Sequence, residues 1–326
     1  MTALLETRNL VKQFPVRGGL LGEKRLLTAV AGVDLELYPG ETLGLAGESG
    51  CGKSTVARLL TGLTPPTTGS IRYEGRELSS LDRKEMAQYR KDVQMIFQDP
   101  FSSLNPRMRV ADIVGEPLAI HRIGTPSQRR DMVAALLQRV GLSPDHLGRF
   151  PHEFSGGQRQ RIGIARALAV SPRVIIADEP VSALDLSIQA QIINLLQDVK
   201  KDLGLSFLFI THDLSVLRHL SDRVAIMYLG RIVESGKRDD VLTAPLHPYT
   251  EALLSAIPSI DPKKRERRVM ARGELPSPLS PPSGCPFHTR CPYAQERCSK
   301  ERPELLEKEP GHRAACHFSE RIYRRR

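Results

Sequence analysis

The sequence feature that most constrains the fold of this chain is LGLAGESGCGKST, residues 43–55. Its apolar start, residues 43–46, predicts a short buried strand, and the residues from Thr55 onward predict a helix. A glycine-rich turn joins the two. Glycines there allow backbone conformations that a Cβ would forbid, so that successive N–H groups can converge on a polyphosphate at the positive end of the helix. These glycines are Gly47, Gly50 and Gly52.

The same turn carries the polar groups of a phosphate site. Lys53 can supply a point charge to β- and γ-phosphates, and the Ser54 hydroxyl can ligate Mg²⁺. The spacing matches G-x-x-x-x-G-K-S between a strand and a helix, which makes a glycine-rich turn with an incidental lysine the weaker alternative. We therefore predict a phosphate-binding loop. Its predicted contact residues are Gly47, Glu48, Ser49, Gly50, Cys51, Gly52, Lys53, Ser54 and Thr55.

Length, hydropathy and charge limit the class of protein. The 326 residues suit one large domain with an extension, or two domains, and 40% hydrophobic residues can bury a sizeable core. No apolar stretch reaches the roughly 18 residues of a membrane span, and the N-terminus lacks a signal peptide, so we expect a cytosolic chain. From Pro258 onward, 16 Lys and Arg stand against 9 Asp and Glu, which concentrates most of the net charge of +10 in the tail. Such a tail suits an acidic membrane surface, a protein partner, RNA, or nothing more than solvation.

Other polar residues follow predicted buried strands. Gln98 follows the strand at 93–97, Asp178 and Glu179 end a strand that begins at Arg173, and His212 follows the strand at 205–210. The carboxyl ends of parallel strands are where α/β proteins bind ligands. A strand-terminal Asp beside a phosphate loop holds Mg²⁺, usually through water, and the following Glu can orient a nucleophilic water. Taken alone, each of these residues is better explained as a polar surface or structural residue.

A second anion site is predicted at Ser155-Gly156-Gly157, where a helix begins with Ser155 as its N-cap. The block from Asn105 to about Arg149 before it has helical periodicity and predicts a separate helical lobe. Two phosphate cradles more than a hundred residues apart serve one nucleotide only across a dimer interface or through a large fold-back.

Taken in order, these segments closely resemble an ABC-transporter ATP-binding subunit. Phe154 stands where the family most often has Leu. The matching segments are the Walker A motif at 47–54, the Q-loop residue Gln98, the signature FSGGQ at 154–158, the Walker B segment VIIADE at 174–179, the D-loop SALD at 182–185 and the switch residue His212. Further stretches are similar to the F-type subunit of dipeptide and oligopeptide importers: QDPFSSLNPR at 98–107, HPYTEALLSAIP at 247–258 and GELPSPLSPPSGCPFHTRC at 273–291.

The resemblance implies an α/β fold with a RecA-like P-loop ATPase core and a mixed N-terminal β-subdomain. It implies an ATPase domain over 1–257 with an inserted all-helical subdomain at about 99–160, followed by a small cysteine-containing extension over 258–326. ATP and Mg²⁺ are the implied ligands. The implied roles are stacking of Phe14 on adenine, Mg²⁺ binding by Ser54, Gln98 and, through water, Asp178, water activation by Glu179, γ-phosphate sensing by His212, and capping of the partner's ATP by Ser155, Gly156, Gly157 and Gln158.

The resemblance also implies partners. These are two transmembrane permeases, a second and paralogous ATPase subunit, and indirectly a solute-binding protein, with the chain peripheral at the cytoplasmic face of the cell membrane and no nucleic acid. An importer ATPase for another cargo, such as nickel, is the nearest alternative, because the ATPase does not choose the cargo. ABC ATPases of DNA repair insert a long coiled coil and those of translation join two cores in one chain, and this sequence has neither.

Cys285, Cys291, Cys298 and Cys316 are spaced C-x5-C-x6-C-x17-C. Four thiolates in a cytosolic tail predict a metal site, with His288 and His317 as further candidate ligands. The spacing alone does not choose between Zn²⁺ and an iron–sulfur cluster. The tail of the peptide-importer ATPases that this chain resembles carries a 4Fe–4S cluster, which ranks the cluster first, Zn²⁺ second and free thiols third.

Overall fold

The computed structural model describes residues 2–17, 24–257 and 273–323. The strands are β1 Leu5–Arg17, β2 Lys24–Leu37, β3 Thr42–Ala46, β4 Thr68–Tyr73, β5 Arg76–Glu77, β6 Val93–Ile96, β7 Val174–Asp178, β8 Ser206–Thr211, β9 Arg223–Tyr228, β10 Arg231–Lys237, β11 Leu306–Glu309 and β12 His312–Ala314. The helices are α1 Lys53–Leu60, α2 Arg83–Asp92, α3 Val110–Ile120, α4 Pro126–Arg139, α5 Gly156–Leu168, α6 Leu186–Leu203, α7 Leu214–Leu220, α8 Arg238–Thr243, α9 Pro248–Ala256, α10 Glu296–Lys300 and α11 Ser319–Tyr323.

The chain divides into two compact units. The first comprises residues 37–41 and 80–210, and the second comprises 2–36, 42–79 and the chain from 211 onward. The stretch from Pro258 to Gly284 is basic and rich in proline, which predicts a surface linker, and it lies outside the described residues as far as residue 272. Among the helices that the structure describes, none combines the length and hydropathy needed to cross a bilayer.

The first unit is built on the parallel strands β6, β7 and β8, with β7 in the middle. Every residue of β7 is buried, as expected for an apolar run inside a parallel sheet. Residues 99–160 contain helices and turns and no strand, in agreement with the helical periodicity of this block. Helix α4 begins as its sequence indicates, because Thr125 and Gln128 cap each other's backbone N–H and Pro126 occupies the first helical position.

The second unit contains a four-stranded sheet in the order β2–β1–β4–β5. Strands β1 and β4 are antiparallel and register Leu5 with Tyr73. Residues 15–27 are rich in Gly, Arg and Lys, a composition that predicts a surface loop, but this prediction is too long, since β1 continues to Arg17 and β2 begins at Lys24. The two strands are neighbours in the sheet, so backbone pairing extends them beyond the residues with alternating hydropathy.

Strands β3, β9, β10, β12 and β11 of the second unit are also neighbours, with β3 and β9 parallel and the later pairs antiparallel. Strands β11 and β12 were not expected, because LEKE at 306–309 has no apolar alternation. A buried contact fixes β12 to β10: His312 Nε2 lies 2.7 Å from Glu234 Oε1, and neither side chain is more than 1% exposed. The cysteine-containing extension, defined from here on as residues 273–323, thereby adds two strands to the unit that holds β3.

Candidate functional site

The turn between β3 and α1 and the first two residues of α1, together residues 47–54, are here named the phosphate loop. Strand β3 is buried throughout, and α1 begins at Lys53, so the loop lies between a fixed strand and a fixed helix. Gly52 has a φ of 108°, and a Cβ there would lie 2.1 Å from the carbonyl oxygen of Ala29. A Cβ at Gly47 would lie 2.2 Å from the carbonyl oxygen of Met227. The two glycines are therefore required by close approach to neighbouring backbone, and they allow the tight turn that the predicted phosphate site needs.

Lys53 is only 3% exposed, and its ammonium group is oriented by the loop itself. Its Nζ donates to the carbonyl oxygens of Gly47 at 2.7 Å and of Glu48 at 3.0 Å. The neighbouring Cys51 is buried, and this burial raises the pKa of its thiol, which keeps it neutral as a packing residue. The loop thus holds one positive charge at the start of a helix, the arrangement that favours a bound phosphate.

Two more predicted residues belong to the second unit. Phe14 lies on β1 and is half-buried, with Lys12 Nζ 5.2 Å from its ring centroid. His212 is exposed and directly follows the last residue of β8, as the sequence indicated. Asp213 then caps α7 by accepting a hydrogen bond from the Ser215 backbone N–H at 2.8 Å.

The two predicted site carboxylates, one for Mg²⁺ and one for catalysis, belong to the first unit, at the carboxyl end of β7. Asp178 and Glu179 are 4% and 8% exposed. Gln98 and Glu179 are brought together, with Gln98 Nε2 3.3 Å from Glu179 Oε2. Glu179 has a φ of 45°, a left-handed conformation that is uncommon for a residue with a side chain and that clusters at functional sites. Its backbone N–H donates to the Ile210 carbonyl oxygen at 2.9 Å, which holds it against β8.

The segment Ser155 to Gln158, here named the signature nest, begins α5. The Ser155 hydroxyl accepts from the Gln158 N–H at 3.3 Å, and the Gln158 side chain accepts from the Ser155 N–H at 3.0 Å. Ser155 is exposed, whereas Gly157 is buried and a Cβ there would lie 2.5 Å from Ile188 Cγ2. The first N–H groups of a helix lack intrahelical acceptors. The nest is therefore a preformed helix start beside an exposed hydroxyl.

The four cysteines of the extension line one cavity, together with His288 and His317. All four are free thiols, and Cys285 and Cys298 are buried. Burial raises the pKa of Cys285 to about 11 and that of Cys291 to about 12, with backbone hydrogen bonds opposing the rise and the nearby cysteines adding to it. Both histidine rings contact backbone carbonyl oxygens, His288 Nδ1 that of Cys285 at 2.9 Å and His317 Nε2 that of Glu301 at 3.0 Å. Within the described ranges, no three His, Cys, Asp or Glu side chains are close enough to hold a metal ion.

The chain is similar to known proteins over nearly its whole length. Residues 30–182 match the ABC transporter family, and residues 233–298 match the oligopeptide/dipeptide transporter C-terminal region. The oligopeptide transport ATP-binding protein AppF of Bacillus subtilis is 53% identical over 97% of both chains. The chain belongs to the ABC transporter ATP-binding proteins. The di/tripeptide transport ATP-binding protein DppF of Pseudomonas aeruginosa is 48% identical over 99% of both chains, and the oligopeptide transport ATP-binding protein OppF of Escherichia coli is 52% identical over 96% of this chain and 95% of its own.

Solved ABC cassettes have the same fold. The dimeric cassette MJ0796 in a post-hydrolysis state with ADP and Pi matches with a TM-score of 0.64 and 29% identity, over 72% of this chain and 98% of that one. The predicted family and α/β P-loop ATPase fold are confirmed, and so is the predicted class of enzyme, an ABC ATPase. Two features had no signal in the sequence: the left-handed backbone of Glu179, and the contacts of Glu48 with Tyr249 and Arg290, residues more than 200 positions away.

Proposed function

We propose that this ABC ATPase binds and hydrolyses ATP to power the import of di- and oligopeptides across the cell membrane. The observation that carries the proposal is the likeness to an oligopeptide transport ATP-binding protein over 97% of the chain, which includes the extension. The proposed domains are residues 1–257 for the ATPase, with a helical subdomain at about 99–160, and residues 258–326 for a C-terminal domain that includes the extension.

In the proposed site, the N–H groups of the phosphate loop and Lys53 bind the triphosphate, and Phe14 stacks on the adenine. Ser54, Gln98 and, through water, Asp178 offer the oxygen ligands that Mg²⁺ prefers. The chemistry of these donors therefore fits the ion, which would neutralise negative charge on the triphosphate.

Hydrolysis is proposed to depend on Glu179. A water oxygen bonds to the γ-phosphorus while the bond from that phosphorus to the β,γ-bridging oxygen breaks, which yields ADP and phosphate. Glu179 orients this water and accepts its proton, which passes on to the phosphate. Burial and the hydrogen bond from Gln98 fix the direction of the carboxylate. His212 is proposed to contact the γ-phosphate and to sense its loss.

The signature nest is proposed to act on the nucleotide of a second ATPase subunit. Ser155, Gly156, Gly157 and Gln158 would cap the γ-phosphate of the ATP that is bound to the partner's loop, and the partner's nest would cap the ATP of this chain. Catalysis by positioning and charge neutralisation then begins only when the two subunits close. The proposed partner is a paralogous ATPase subunit.

The proposed assembly adds two transmembrane permeases, with this chain peripheral at the cytoplasmic face of the cell membrane. A solute-binding protein would deliver the peptide. Cargo selection lies with that protein and the permeases, so peptide is proposed from the names of the relatives, each of which is described as transporting peptides.

The test is Glu179→Gln in the importer reconstituted in vesicles with its permeases and binding protein. We expect MgATP affinity within about twofold of the unchanged protein and a loss of peptide-stimulated hydrolysis of about 100-fold or more, because the base is removed and the shape is kept. Glu309→Gln, at an exposed position of the extension, is the control and should leave both values unchanged. Near-normal turnover of the Glu179 variant would refute the assignment, and stimulation by nickel in place of peptide would refute the cargo.

The four cysteines of the extension are proposed to bind a 4Fe–4S cluster, with Zn²⁺ as the alternative. Four free thiols lining one cavity are the donor type that either group takes, and binding would have to draw their sulfur atoms closer together than they lie in the described arrangement. Because the pKa values of Cys285 and Cys291 are raised, binding would displace protons from these two thiols.

Anaerobic purification followed by analysis of iron, sulfide and zinc tests this proposal. We expect roughly four iron and four sulfide per chain, and their loss in Cys291→Ser. Zinc in place of iron would select the alternative, and the absence of both would refute a metal site.

A further inference from the structure

Glu48, the second residue of the phosphate loop, is held by a residue of the extension that lies 242 positions further along the chain. Arg290 Nη1 donates to Glu48 Oε2 at 2.8 Å, and Arg290 Nη2 donates to Glu48 Oε1 at 3.1 Å. The side chain of Arg290 is 11% exposed and that of Glu48 is 29% exposed. Exposed ion pairs contribute little, but a paired fork of this kind, largely removed from water, has both geometric specificity and strength.

The backbone of Glu48 is fixed on both sides as well. Its N–H donates to the hydroxyl oxygen of Tyr249 at 2.8 Å, and its carbonyl oxygen accepts from Lys53 Nζ at 3.0 Å. A movement of Glu48 therefore moves the group that orients the Lys53 ammonium.

The residues that hold Glu48 form one packed cluster. The ring of Tyr249 lies 4.6 Å from that of Tyr228 and 5.4 Å from that of Phe287, measured between centroids, and all three rings are buried. The guanidinium of Arg290 lies 6.0 Å from the Tyr228 centroid and 5.9 Å from the Phe287 centroid. Burial by itself would lower the pKa of Arg290, but its partners, Glu48 first among them, raise the pKa above its ordinary value. The Arg290 guanidinium is thus stabilised in its charged form at this position, and packing against the aromatic rings sets the position.

We propose that Arg290, together with Tyr249, is a positioning residue for the phosphate loop, so that the extension holds the loop in the shape that binds MgATP. The inference rests on the proposed function of the loop. Neither residue touches the nucleotide in this proposal, since each acts through Glu48. The physical reason is preorganisation: a loop already fixed in its binding shape loses less conformational freedom when the ligand binds.

The test compares Arg290→Gln, Arg290→Lys and Tyr249→Phe in the full-length protein, with MgATP affinity, KM, kcat and thermal unfolding as readouts. We expect Arg290→Gln to raise Kd and KM about tenfold and to change kcat by less than about twofold, since the loop becomes mobile while the chemistry is untouched. Arg290→Lys keeps the charge and loses the fork, so it should recover part of the affinity. Tyr249→Phe removes only the acceptor of the Glu48 N–H and should raise Kd by about threefold.

The matched control is Arg297→Gln. Arg297 is also an ion-paired arginine of the extension, but its pair with Glu301 is exposed at 56% and 58%. It should leave Kd and KM unchanged. A double-mutant cycle adds the pairwise test: once Glu48→Gln is present, Arg290→Gln should add less than twofold to Kd.

Lys53→Ala separates the two levels of the argument. If Lys53→Ala loses MgATP affinity while the Arg290 and Tyr249 variants bind as tightly as Arg297→Gln, the inference is wrong and the proposed nucleotide site stands. If Lys53→Ala also binds MgATP normally, the proposed site itself is wrong. Should Arg290→Gln fail to fold, Arg290→Lys and Tyr249→Phe decide in the same assays, and unchanged KM in both overturns the inference.

Discussion

The phosphate loop and the signature nest both use glycines at the start of a helix, yet they are held in place by different parts of the chain. The phosphate loop is fixed from outside, by backbone carbonyl groups that its glycines approach closely and by Tyr249 and Arg290. The signature nest is fixed mainly by itself, because Ser155 and Gln158 cap each other. Lys53 of the loop is buried, whereas Ser155 of the nest is exposed.

The two kinds of support suit two different tasks. A loop held in one shape by the rest of its own chain is ready to bind a phosphate without help. A nest with an exposed hydroxyl and its own capping box is a surface that is ready to meet another molecule. The contrast supports the proposal that this chain binds ATP with its loop and acts on a partner's ATP with its nest.

The largest effect is expected from Lys53→Ala, which removes the positive charge of the loop. We expect MgATP affinity to fall by about 100-fold, since a charged hydrogen bond to phosphate contributes about 3 kcal/mol. Equilibrium binding of a fluorescent ATP analogue measures it. Lys300→Ala is the control, because Lys300 is 68% exposed and lies in the extension. If the Lys53 variant binds MgATP within twofold of the control, the loop is not part of the nucleotide site, and the proposed difference between loop and nest is wrong.

The core of the fold follows from the sequence because its strands are apolar runs with clear ends. The predicted strand at 173–179 is β7, and the predicted strand at 205–210 is β8. Strands β11 and β12 could not be predicted from the sequence, because their residues are mostly polar. Their pairing with the sheet depends on the contact between Glu234 and His312, residues 78 positions apart. Local propensity carries no information about a partner at that distance.

The features of the candidate site also separate into those that the sequence predicts and those that it does not. The Walker A motif and the capping box at Ser155 are local patterns, so the sequence alone indicated a phosphate loop and an N-cap. The left-handed backbone of Glu179 is imposed by its contact with Ile210, and the clamp on Glu48 comes from residues 249 and 290. These features depend on tertiary contacts, which no motif of the sequence encodes.

We propose that the loop binds the ATP of this chain and that the nest acts on the ATP of the partner. The most direct test is Ser155→Arg, which places a large side chain at the exposed hydroxyl position of the nest. Ser155→Ala is its matched control, since it removes the same N-cap, at a cost of about 1 kcal/mol, without adding bulk. MgATP affinity of this chain and ATP hydrolysis by the reconstituted importer are measured side by side. The account predicts affinity within twofold of the control and hydrolysis reduced by more than tenfold. A fall in affinity as large as that of Lys53→Ala would contradict it, because the nest would then bind the nucleotide of its own chain.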